Sequence, residues 1–481
     1  MILKIENLLY SNYKNKIMII CQLSEYIFNL KYEDIPKEAI EKARLCFIDY
    51  LAVYLRGLES ENSKIAIKTI YELYGNDFNS LNKGFINGIA SHSLDLDDGH
   101  RLAQLHPGSV VFSTVLALAS DENLSLDITG EEFFEGVIAG YEIAIALGML
   151  VNPDHRNQGF HSTGTVGSIA SGAVASKLLK LSQEKTEHCL GLCATQSSGL
   201  LEADHAGTMG KSLHVGNAVY RGILSAYLAK NGFTGGESLI DGKEGFIKSM
   251  ASDLYGRHCD EKGNFDYSKL SDFIDMNLKK FHINDVYLKK YPFCRHIHSA
   301  IDSALALKED LNELSLDNLE NISSIDIETY RIASEHDNYN PGNVQDLKQS
   351  LPYAVAISLV SNDLSLDSID ELIDKGLFSK SSEDEILRIK AIANKINIRC
   401  DEELNQLTPE KRPSRVIIKY KGNALENTTY YPLGEVENPL REEDIIEKFR
   451  LLNPKFNMNK LQIVKHMEDY SINEVFEELD L

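Results

Sequence analysis

A run of small residues inside one helical segment constrains the fold of this chain more than any other feature. The segment spans residues 164–182, and small side chains crowd its first half: Gly164, Gly167, Ser168, Ser171, Gly172 and Ala175. Small side chains let two helix axes approach closely. We therefore expect a tightly packed helical bundle. No repeat of fixed period is evident, which argues against a solenoid.

The rest of the first half of the sequence reads as helix after helix. Residues 36–57 place Pro36 near the first helical position, space apolar residues at three- and four-residue steps, and stop at Gly57. The same pattern recurs in the segments 84–98, 108–121, 129–150, 184–200 and 214–231. A chain of 481 residues is too long for one simple core. We assign residues 1–275 to a helical domain.

The residue pattern changes after residue 275. Period-two alternation rich in Ile and Val predicts strands at Ser324–Arg331, Lys395–Cys400 and Arg415–Tyr420. The last strand runs through a glycine turn towards Asn427–Tyr431, which predicts a hairpin. Helices are predicted between the strands, over 296–310, 350–361 and 383–394.

Residues 276–434 are therefore predicted to form an α+β domain. The helical pattern from residue 440 predicts that residues 435–481 return to complete the first domain. The predicted fold class is mainly α, with a large all-helical domain and a smaller α+β domain. A site between the two domains is the default expectation.

The chain is strongly acidic. Lys and Arg number 49 against 72 Asp and Glu, which gives a formal net charge of −23. Such a surface repels phosphate backbones and anionic membranes, so we expect neither nucleic acid nor a membrane as a partner. An anionic substrate would need a local cluster of positive charge against this background.

Cysteine usage and the N-terminus indicate a cytoplasmic protein. The seven cysteines are scattered, which suits free thiols, and we interpret Cys189 and Cys193 as one face of a buried helix. The first residues, MILKIENLLYSNYKNKIMII, lack the continuous apolar core and the cleavage site of a signal peptide. No later stretch reaches the roughly 18 to 20 uncharged apolar residues of a membrane span.

The segment Asn87–Gly108 is the richest in ionisable side chains. If its first half is helical, His92, Asp95 and Asp98 lie on one face, and His106-Pro107-Gly108 starts the next helix. Charges in an apolar neighbourhood are costly unless they pair or take part in chemistry. The alternative is an ordinary capped and solvated helix end.

Two further segments carry candidate residues. His161 precedes the small-residue helix, whose N-terminus would present free N–H groups to a carboxylate. The alternative is a helix cap by Ser162 or Thr163 that leaves His161 merely exposed. Lys211 opens a later helix, and the alternative there is an ordinary surface lysine.

The most basic patch lies where the two patterns meet, and it contains Lys289, Lys290, Arg295, His296 and His298. Cys294 lies among these cations, but a catalytic thiol also needs a positioned base, and we do not expect one here. Together the four segments supply cations and N–H donors for a polycarboxylate. They also supply histidines, the side chains best suited to act as acid and base near neutral pH.

These segments, in this order, resemble the MmgE/PrpD family, whose members include 2-methylcitrate dehydratase, cis-aconitate decarboxylase and iminodisuccinate epimerase. The resemblance covers roughly residues 20 to 450. It rests on NGIASHSLDLDDGHRLAQLHPGS, GFHSTGTVGSIASGAVASKLLKL, GKSLHVGNAVYRGILSAYLAKNGFTGG, YPFCRHIHSAID and SLPYAVAISLV.

The resemblance implies a lyase that acts on a small di- or tricarboxylate, and removal of water is the first expectation for its reaction. An epimerase or a decarboxylase on the same site is the alternative. It also implies that the α+β domain is a lid, that the protein is a homodimer, and that no metal ion or other cofactor is required. By motif, the catalytic positions are Asp95, His106, His161 and Lys211, and the lid contributes Arg295, His296 and His298.

The mechanism that we expect uses these groups together. Lys211, Arg295 and Arg101 would hold the substrate carboxylates, with His296 and His298 beside them. One catalytic histidine would remove the hydrogen α to a carboxylate and the other would protonate the leaving hydroxyl. Asp95 would orient a histidine.

Three positions depart from the family pattern and leave the substrate open. Gly99 stands where a hydroxyl residue is common, and we expect it to remove one substrate contact. Ser162 stands where proline is common, and the His100-Arg101 loop is unfamiliar.

Two other classes of protein remain as alternatives. Asp95, Asp97 and Asp98 could hold Mg²⁺ in an all-helical isoprenoid-type enzyme, but the sequence has no second carboxylate motif to share the ions. A non-catalytic interaction protein of the same fold would show a disrupted set of polar residues, whereas the set here is complete.

Overall fold

The computed structural model describes residues 18–76, 78–121, 124, 126–259, 266–312, 319, 321–361 and 363–481. Within them the chain is mainly helical and carries a small sheet, as the sequence predicts. Residues 1–17 lie outside the described residues. They include most of the N-terminal stretch that is predicted not to be a signal peptide.

Two hydrophobic clusters organise the described residues. The larger draws mostly on helices before residue 288 and on the tail between Leu440 and Leu479. The smaller draws on residues between Tyr291 and Tyr420. Along the chain the clusters part between Leu288 and Tyr291, inside the basic patch.

The longer helices before the basic patch are Ile19–Asn29, Lys37–Gly57, Glu61–Tyr74, Ser80–His92, Pro107–Ala119, Gly130–Val151, Ser162–Leu178, Gln183–Gln196, Gly210–Lys230 and Tyr267–Asn277. Those after it are His298–Asn312, Leu351–Val360, Leu366–Asp374, Asp384–Ala393, Glu442–Leu452 and Ile472–Leu479.

Close contacts at glycine confirm the tight bundle. A Cβ atom on Gly222 would lie 2.2 Å from Ser171 Oγ and 2.7 Å from the backbone nitrogen of Gly172. On the opposite side, a Cβ atom on Gly172 would lie 2.5 Å from Cys193 Sγ and 3.2 Å from Cys189 Sγ. The two cysteines are buried on one face of helix Gln183–Gln196, as predicted. The small residues thus set the spacing of three helices.

The predicted helix over 84–98 is wrong beyond His92, where helix Ser80–His92 ends. The following turn is held by lysines from distant parts of the chain. Lys348 Nζ donates to the carbonyl of Ser93 at 2.8 Å, and Lys289 Nζ donates to that of Asp95 at 2.9 Å. Asp95 itself has a φ of 55°, in the left-handed region that few residues other than glycine adopt. Asp95 and Asp98 therefore do not share a helix face with His92.

Four strands form the sheet, in the order Ile396–Cys400, Ile322–Thr329, Ser414–Tyr420 and Asn423–Thr429. The first pair is parallel and the other two pairs are antiparallel. The predicted hairpin is present, and its turn uses positive φ at Lys421 and Gly422. Helices His298–Asn312 and Leu351–Val360 contribute apolar residues to the same cluster as the sheet.

The C-terminal segment contacts the helical half. Lys448 Nζ, on helix Glu442–Leu452, donates to Asp49 Oδ1 at 2.6 Å and to the carbonyl of Leu96 at 2.8 Å. Asn453 donates to the carbonyl of Ala52 at 2.9 Å. By length and composition, one helix among the described residues, Gly130–Val151, could cross a membrane. Of its most apolar window, 89% is buried inside the protein, as in a core helix.

Candidate active site

A cavity of about 360 Å³ is lined by residues from both halves of the chain. Of the residues predicted from sequence, those that line it are Asp95, His106, His161, Lys211, Arg295 and His296. Arg101 and His298 are not among the lining residues. Most of the predicted set is thus brought together from segments far apart in sequence.

His106 and His161 occupy equivalent positions at the N-termini of two packed helices. His106 caps helix Pro107–Ala119, and His161 caps helix Ser162–Leu178. The backbone nitrogen of His106 donates to Thr163 Oγ1 at 3.2 Å, which ties the two helix ends together. Both rings therefore lie at the positive end of a helix dipole, which favours negative charge nearby.

The hydrogen bonds of His106 fix which nitrogen carries its proton. Its Nδ1 lies 2.5 Å from the carbonyl oxygen of Asp98, which can only accept, so Nδ1 holds the proton and Nε2 keeps a lone pair. Burial lowers the pKa of His106 to about 3. The ring is therefore neutral at neutral pH, with a basic nitrogen available.

His161 belongs to a group of four histidines. Its Nδ1 lies 3.1 Å from Nδ1 of His214, so one of the two nitrogens must donate a proton to the other. The ring of His92 lies between those of His106, at 4.9 Å, and His161, at 5.8 Å. Burial, with His92 and His214 next in effect, holds the pKa of His161 well below its usual range.

Asp95 pairs with two lysines. Lys289 Nζ lies 2.6 Å from Asp95 Oδ1, and Lys211 Nζ lies 3.3 Å from both carboxylate oxygens. Although burial acts to raise it, Lys211 and Lys289 hold the pKa of Asp95 well below its usual range. Burial acts to lower the pKa of Lys211, but Asp204 and Asp95 outweigh it and raise the pKa. Lys211 is therefore a permanent cation here and cannot serve as a base.

The histidine contact that we expected of Asp95 is made by Asp97 instead. Asp97 Oδ2 lies 2.7 Å from His92 Nδ1 and 3.5 Å from His106 Nδ1. Asp98 has a structural task, because it accepts hydrogen bonds from the backbone nitrogen of Gly108 at 2.9 Å and from Tyr141 at 2.6 Å. Because the helix ends at His92, Asp97 rather than Asp95 contacts the histidines.

Three residues predicted to bind substrate are held by other protein groups. The guanidinium of Arg295 donates hydrogen bonds to Glu435, to the carbonyls of Leu433 and Pro432, and to His298. Arg101 pairs with Glu435 at 3.1 Å and with Glu437 at 2.7 Å. His298 Nε2 donates to the carbonyl of Phe293 at 3.0 Å. The structure therefore does not place Arg101 or His298 where substrate would lie, and Arg295 is a wall of the cavity whose donors are engaged.

Sequence reasoning missed Arg412. Its side chain is buried, lines the cavity, and lies over the Tyr287 ring with its guanidinium carbon 5.2 Å from the ring centre. Its Nη1 has no hydrogen-bond partner among the described residues, and Glu435 Oε1 is 3.9 Å away. A buried guanidinium N–H without a partner is costly, so this nitrogen marks a place for an anionic ligand.

The cavity is charge-balanced rather than positive, which corrects the expectation of a net basic cluster. Its cationic lining residues are Arg156, Lys211, Lys289, Arg295 and Arg412. Its carboxylates are Asp95, Asp204, Glu335, Asp337 and Asp346. Local neutrality within a chain of charge −23 still favours an anion over the bulk surface. The Nη1 of Arg412, which makes no hydrogen bond among the described residues, and the two helix N-termini are then the candidate donors.

Gly99 has a packing reason that the sequence did not reveal. It pairs with Tyr287 in a two-residue antiparallel ladder. A Cβ atom there would lie 2.3 Å from the Tyr287 hydroxyl oxygen. A hydroxyl side chain at position 99 would require the Tyr287 ring to move, so the glycine has a packing role beside the predicted loss of a substrate contact.

Two groups of described residues bring possible metal ligands within 4.8 Å of one another: His92, Asp97 and His106, and His100, His282 and Asp285. In the first group, the nitrogens nearest Asp97 already take part in hydrogen bonds. In the second, His282 bonds both Asp285 and Asn277 at 2.9 Å. A metal ion would have to replace these bonds.

Comparison with known proteins gives matches over most of the chain. Residues 21–255 match the family model of the MmgE/PrpD N-terminal domain, and residues 291–468 match that of the C-terminal domain. Cis-aconitate decarboxylase of Aspergillus terreus is 24% identical, over 90% of this chain and 89% of its own length. The human protein of that name is also 24% identical, over 92% and 90%. The mitochondrial 2-methylcitrate dehydratase of Yarrowia lipolytica is 26% identical, over 90% and 83%.

Proposed function

The chain belongs to the MmgE/PrpD family, and on that premise we propose that it is a lyase that removes water from a small hydroxylated tricarboxylate. One observation carries the proposal: His106 and His161 are two neutral histidines at neighbouring helix N-termini, beside the charged Lys211. This arrangement combines acid and base groups with stabilisation of a developing negative charge.

His106 is the proposed base. Its Nδ1 proton is held by the carbonyl of Asp98, so Nε2 takes the hydrogen α to a substrate carboxylate. The carbanion that forms shares its charge with that carboxylate. Lys211 and the N-terminus of helix Pro107–Ala119 stabilise this charge as it develops.

His161 is the proposed acid. The negative charge of a bound polycarboxylate raises the pKa of His161, so its ring takes up a proton with the substrate and becomes an imidazolium whose Nδ1 donates to His214 Nδ1. Its Nε2 proton passes to the hydroxyl as it leaves, water departs, and a neutral ring remains. Arg412 holds a second carboxylate through Nη1, which makes no hydrogen bond among the described residues, and so fixes which carbon faces His106.

Decarboxylation is the second candidate, because relatives that match over about nine tenths of this chain are named cis-aconitate decarboxylase. On the same residues, carbon dioxide would leave in place of a proton and a histidine would protonate the carbanion. An epimerase would return the proton on the other face.

Proton NMR in D₂O distinguishes these reactions. The full-length protein is incubated in turn with citrate, 2-methylcitrate, cis-aconitate and iminodisuccinate, with the double variant His106→Gln/His161→Gln as the control. Water loss from citrate or 2-methylcitrate is expected. Replacement of the cis-aconitate signals by those of an unsaturated dicarboxylate would establish the second candidate, and deuterium exchange alone would indicate an epimerase. No reaction with any of the four would contradict a lyase of this substrate class.

We further propose that the α+β half is a lid and that the enzyme needs no metal ion or other cofactor. The two halves contribute different groups, with His106 and His161 on the helical side and Lys289, His336, Gln349 and Arg412 on the other. Substrate must enter between them. If no metal ion is needed, activity should survive dialysis against a chelator. Loss of activity that a divalent ion restores would contradict this proposal.

We also propose a cytoplasmic homodimer. Helix Glu61–Tyr74 exposes large apolar side chains, with Leu73 at 68% and Tyr71 at 56% exposure. Such a face is typical of an interface between copies. Leu73→Glu should convert the dimer into a monomer in light scattering. Lys279→Glu, an exposed charge outside this helix, is the control. A monomeric wild-type protein would contradict this proposal.

A further inference from the structure

Cys294 and His336 form a side-chain pair that the mechanism above does not use. Cys294 Sγ lies 3.6 Å from His336 Nε2, and both side chains line the cavity. No base for this thiol was predicted from the sequence, because the two residues lie 42 positions apart. A thiol beside an imidazole can pass its proton to nitrogen and become a nucleophilic thiolate.

The electrostatic setting favours the charged form of both partners. Burial acts to raise the pKa of Cys294, but His336 outweighs it and lowers the pKa to about 7. Burial acts to lower the pKa of His336, but Cys294 outweighs it and raises the pKa. Asp95 opposes the thiolate and Lys211 supports it.

Other cysteines in the chain have different surroundings. Burial raises the pKa of Cys21 to about 11 and also raises the pKa of Cys46 and of Cys193. Cys400 is exposed on a strand of the sheet. Cys400 therefore serves as an internal reference for an accessible thiol outside the cavity.

A second, independent observation indicates which molecules would reach this sulfur. Arg412 lines the same cavity, and its buried Nη1 has no hydrogen-bond partner among the described residues. After burial, the charge of Arg412 is the next cause that lowers the pKa of His296. The ring of His296 stacks on that of His336, with 5.9 Å between the ring centres. An anion drawn to Arg412 thus arrives in the cavity that holds the thiol.

We propose that Cys294, with His336 as its partner, is a covalent modification site for small anionic electrophiles, above all α,β-unsaturated di- and tricarboxylates. The sulfur attacks the β carbon, the π electron pair moves to the α carbon, and the proton held by His336 is delivered there. A C–S and a C–H bond form, the π bond breaks, and no oxidant or reductant is needed. Dehydration produces such alkenes, so the inference rests on the proposed function for the source of the electrophile.

Competitive alkylation of the native, full-length protein tests the pair. Iodoacetate and iodoacetamide are applied separately at neutral pH, and the labelling rate of each cysteine is followed by peptide mass spectrometry. The ratio of the iodoacetate rate to the iodoacetamide rate should be about tenfold higher at Cys294 than at Cys400, because only Cys294 lies where an anion is attracted. Citrate should slow labelling at Cys294 alone. Equal ratios at the two cysteines would overturn the proposal.

Two variants and one alkene complete the test. His336→Asn should slow labelling of Cys294 about tenfold and leave Cys400 unchanged, and an unaffected Cys294 would remove His336 from the proposal. Prolonged incubation with maleate should add the mass of one maleate at Cys294 and give no such adduct in Cys294→Ser. No adduct, or an adduct on Cys400 alone, would overturn the class of electrophile.

The alkylation experiment needs no turnover, so it fails or succeeds separately from the proposed lyase activity. His161→Gln should lose activity and keep the preferential labelling of Cys294. A protein that converts no tricarboxylate yet shows this labelling would refute the proposed function and support the modification site. A protein that is active but shows no preferential labelling of Cys294 would support the proposed function and refute the modification site.

Discussion

At the scale of single residues, His106 and His161 carry the proposed chemistry. We expect His106→Gln and His161→Gln each to lower kcat by about 10²- to 10⁴-fold, the usual contribution of a positioned acid or base. Thermal melting is measured beside activity, because each ring also makes a hydrogen bond that glutamine has to replace. His466→Gln, at an exposed position in the tail, is the matched control. Full activity of either site variant would contradict its assigned role.

Arg412 is expected to affect substrate binding before it affects chemistry. Arg412→Lys keeps the charge but removes the unpaired Nη1. KM for the substrate should rise at least tenfold, since a hydrogen bond to a charged group is worth about 1.5–3 kcal/mol. Arg399→Lys, on an exposed arginine paired with Glu328, is the control for the substitution itself. An unchanged KM in steady-state kinetics would show that the Nη1 does not meet the substrate.

The sequence could predict the site residues that lie in local clusters, and it could not predict the others. Asp95, His106, His161 and Lys211 stand among other polar residues or at helix starts, and all four line the cavity. Arg412 stands just before a strand in a segment that gives no local sign of a ligand. The position of the Arg412 side chain depends on long-range strand pairing and on the Tyr287 ring. Neither contact can be recognised from the residues next to Arg412 in the sequence.

At the scale of secondary-structure elements, helix interiors were predictable and one critical helix end was not. Helix Lys37–Gly57 carries its own start and stop signals, a proline and a glycine. Helix Ser80–His92 ends without a stop signal, because Lys289 and Lys348 take carbonyls of the following turn. These donors lie roughly 200 or more residues away. Tertiary contacts therefore decide the conformation that brings Asp95 to Lys211.

The close approach of two helices at Gly222 yields a test at this scale. Gly222→Ala would place a methyl group 2.2 Å from Ser171 Oγ and against the backbone of the small-residue helix. We expect it to destabilise the fold by about 1–3 kcal/mol, the cost of overpacking a core. Gly256→Ala is the matched control, because a Cβ atom there meets nothing within 4 Å. Denaturant unfolding measures both, and equal midpoints would contradict close packing at Gly222.

At the scale of the whole molecule, buried ionisable groups set the response to acid. Burial lowers the pKa of His100 and His106 to about 3 and that of His155 to about 4. Other histidines whose pKa burial holds well below the usual range are His161, His296 and His298. Asp98 and Glu142 act in the opposite direction, because burial raises the pKa of each to about 7.

The sign of the pH dependence follows from which state binds more protons. Between about pH 4 and 6.5, unfolded histidines take up protons that the folded protein excludes, whereas Asp98 and Glu142 hold protons only when folded. Burial also raises the pKa of Asp49, Asp302 and Asp370 and lowers that of His214 and His258, so the lowered histidines still outnumber the raised carboxyls. The free energy of unfolding should therefore rise with pH across this window. Denaturant midpoints measured at several pH values test the slope. His155→Gln, which replaces a ring bonded to Met250 and Thr165 outside the cavity, should flatten it. A stability that falls as pH rises through this window would mean that the buried carboxyls outweigh the histidines.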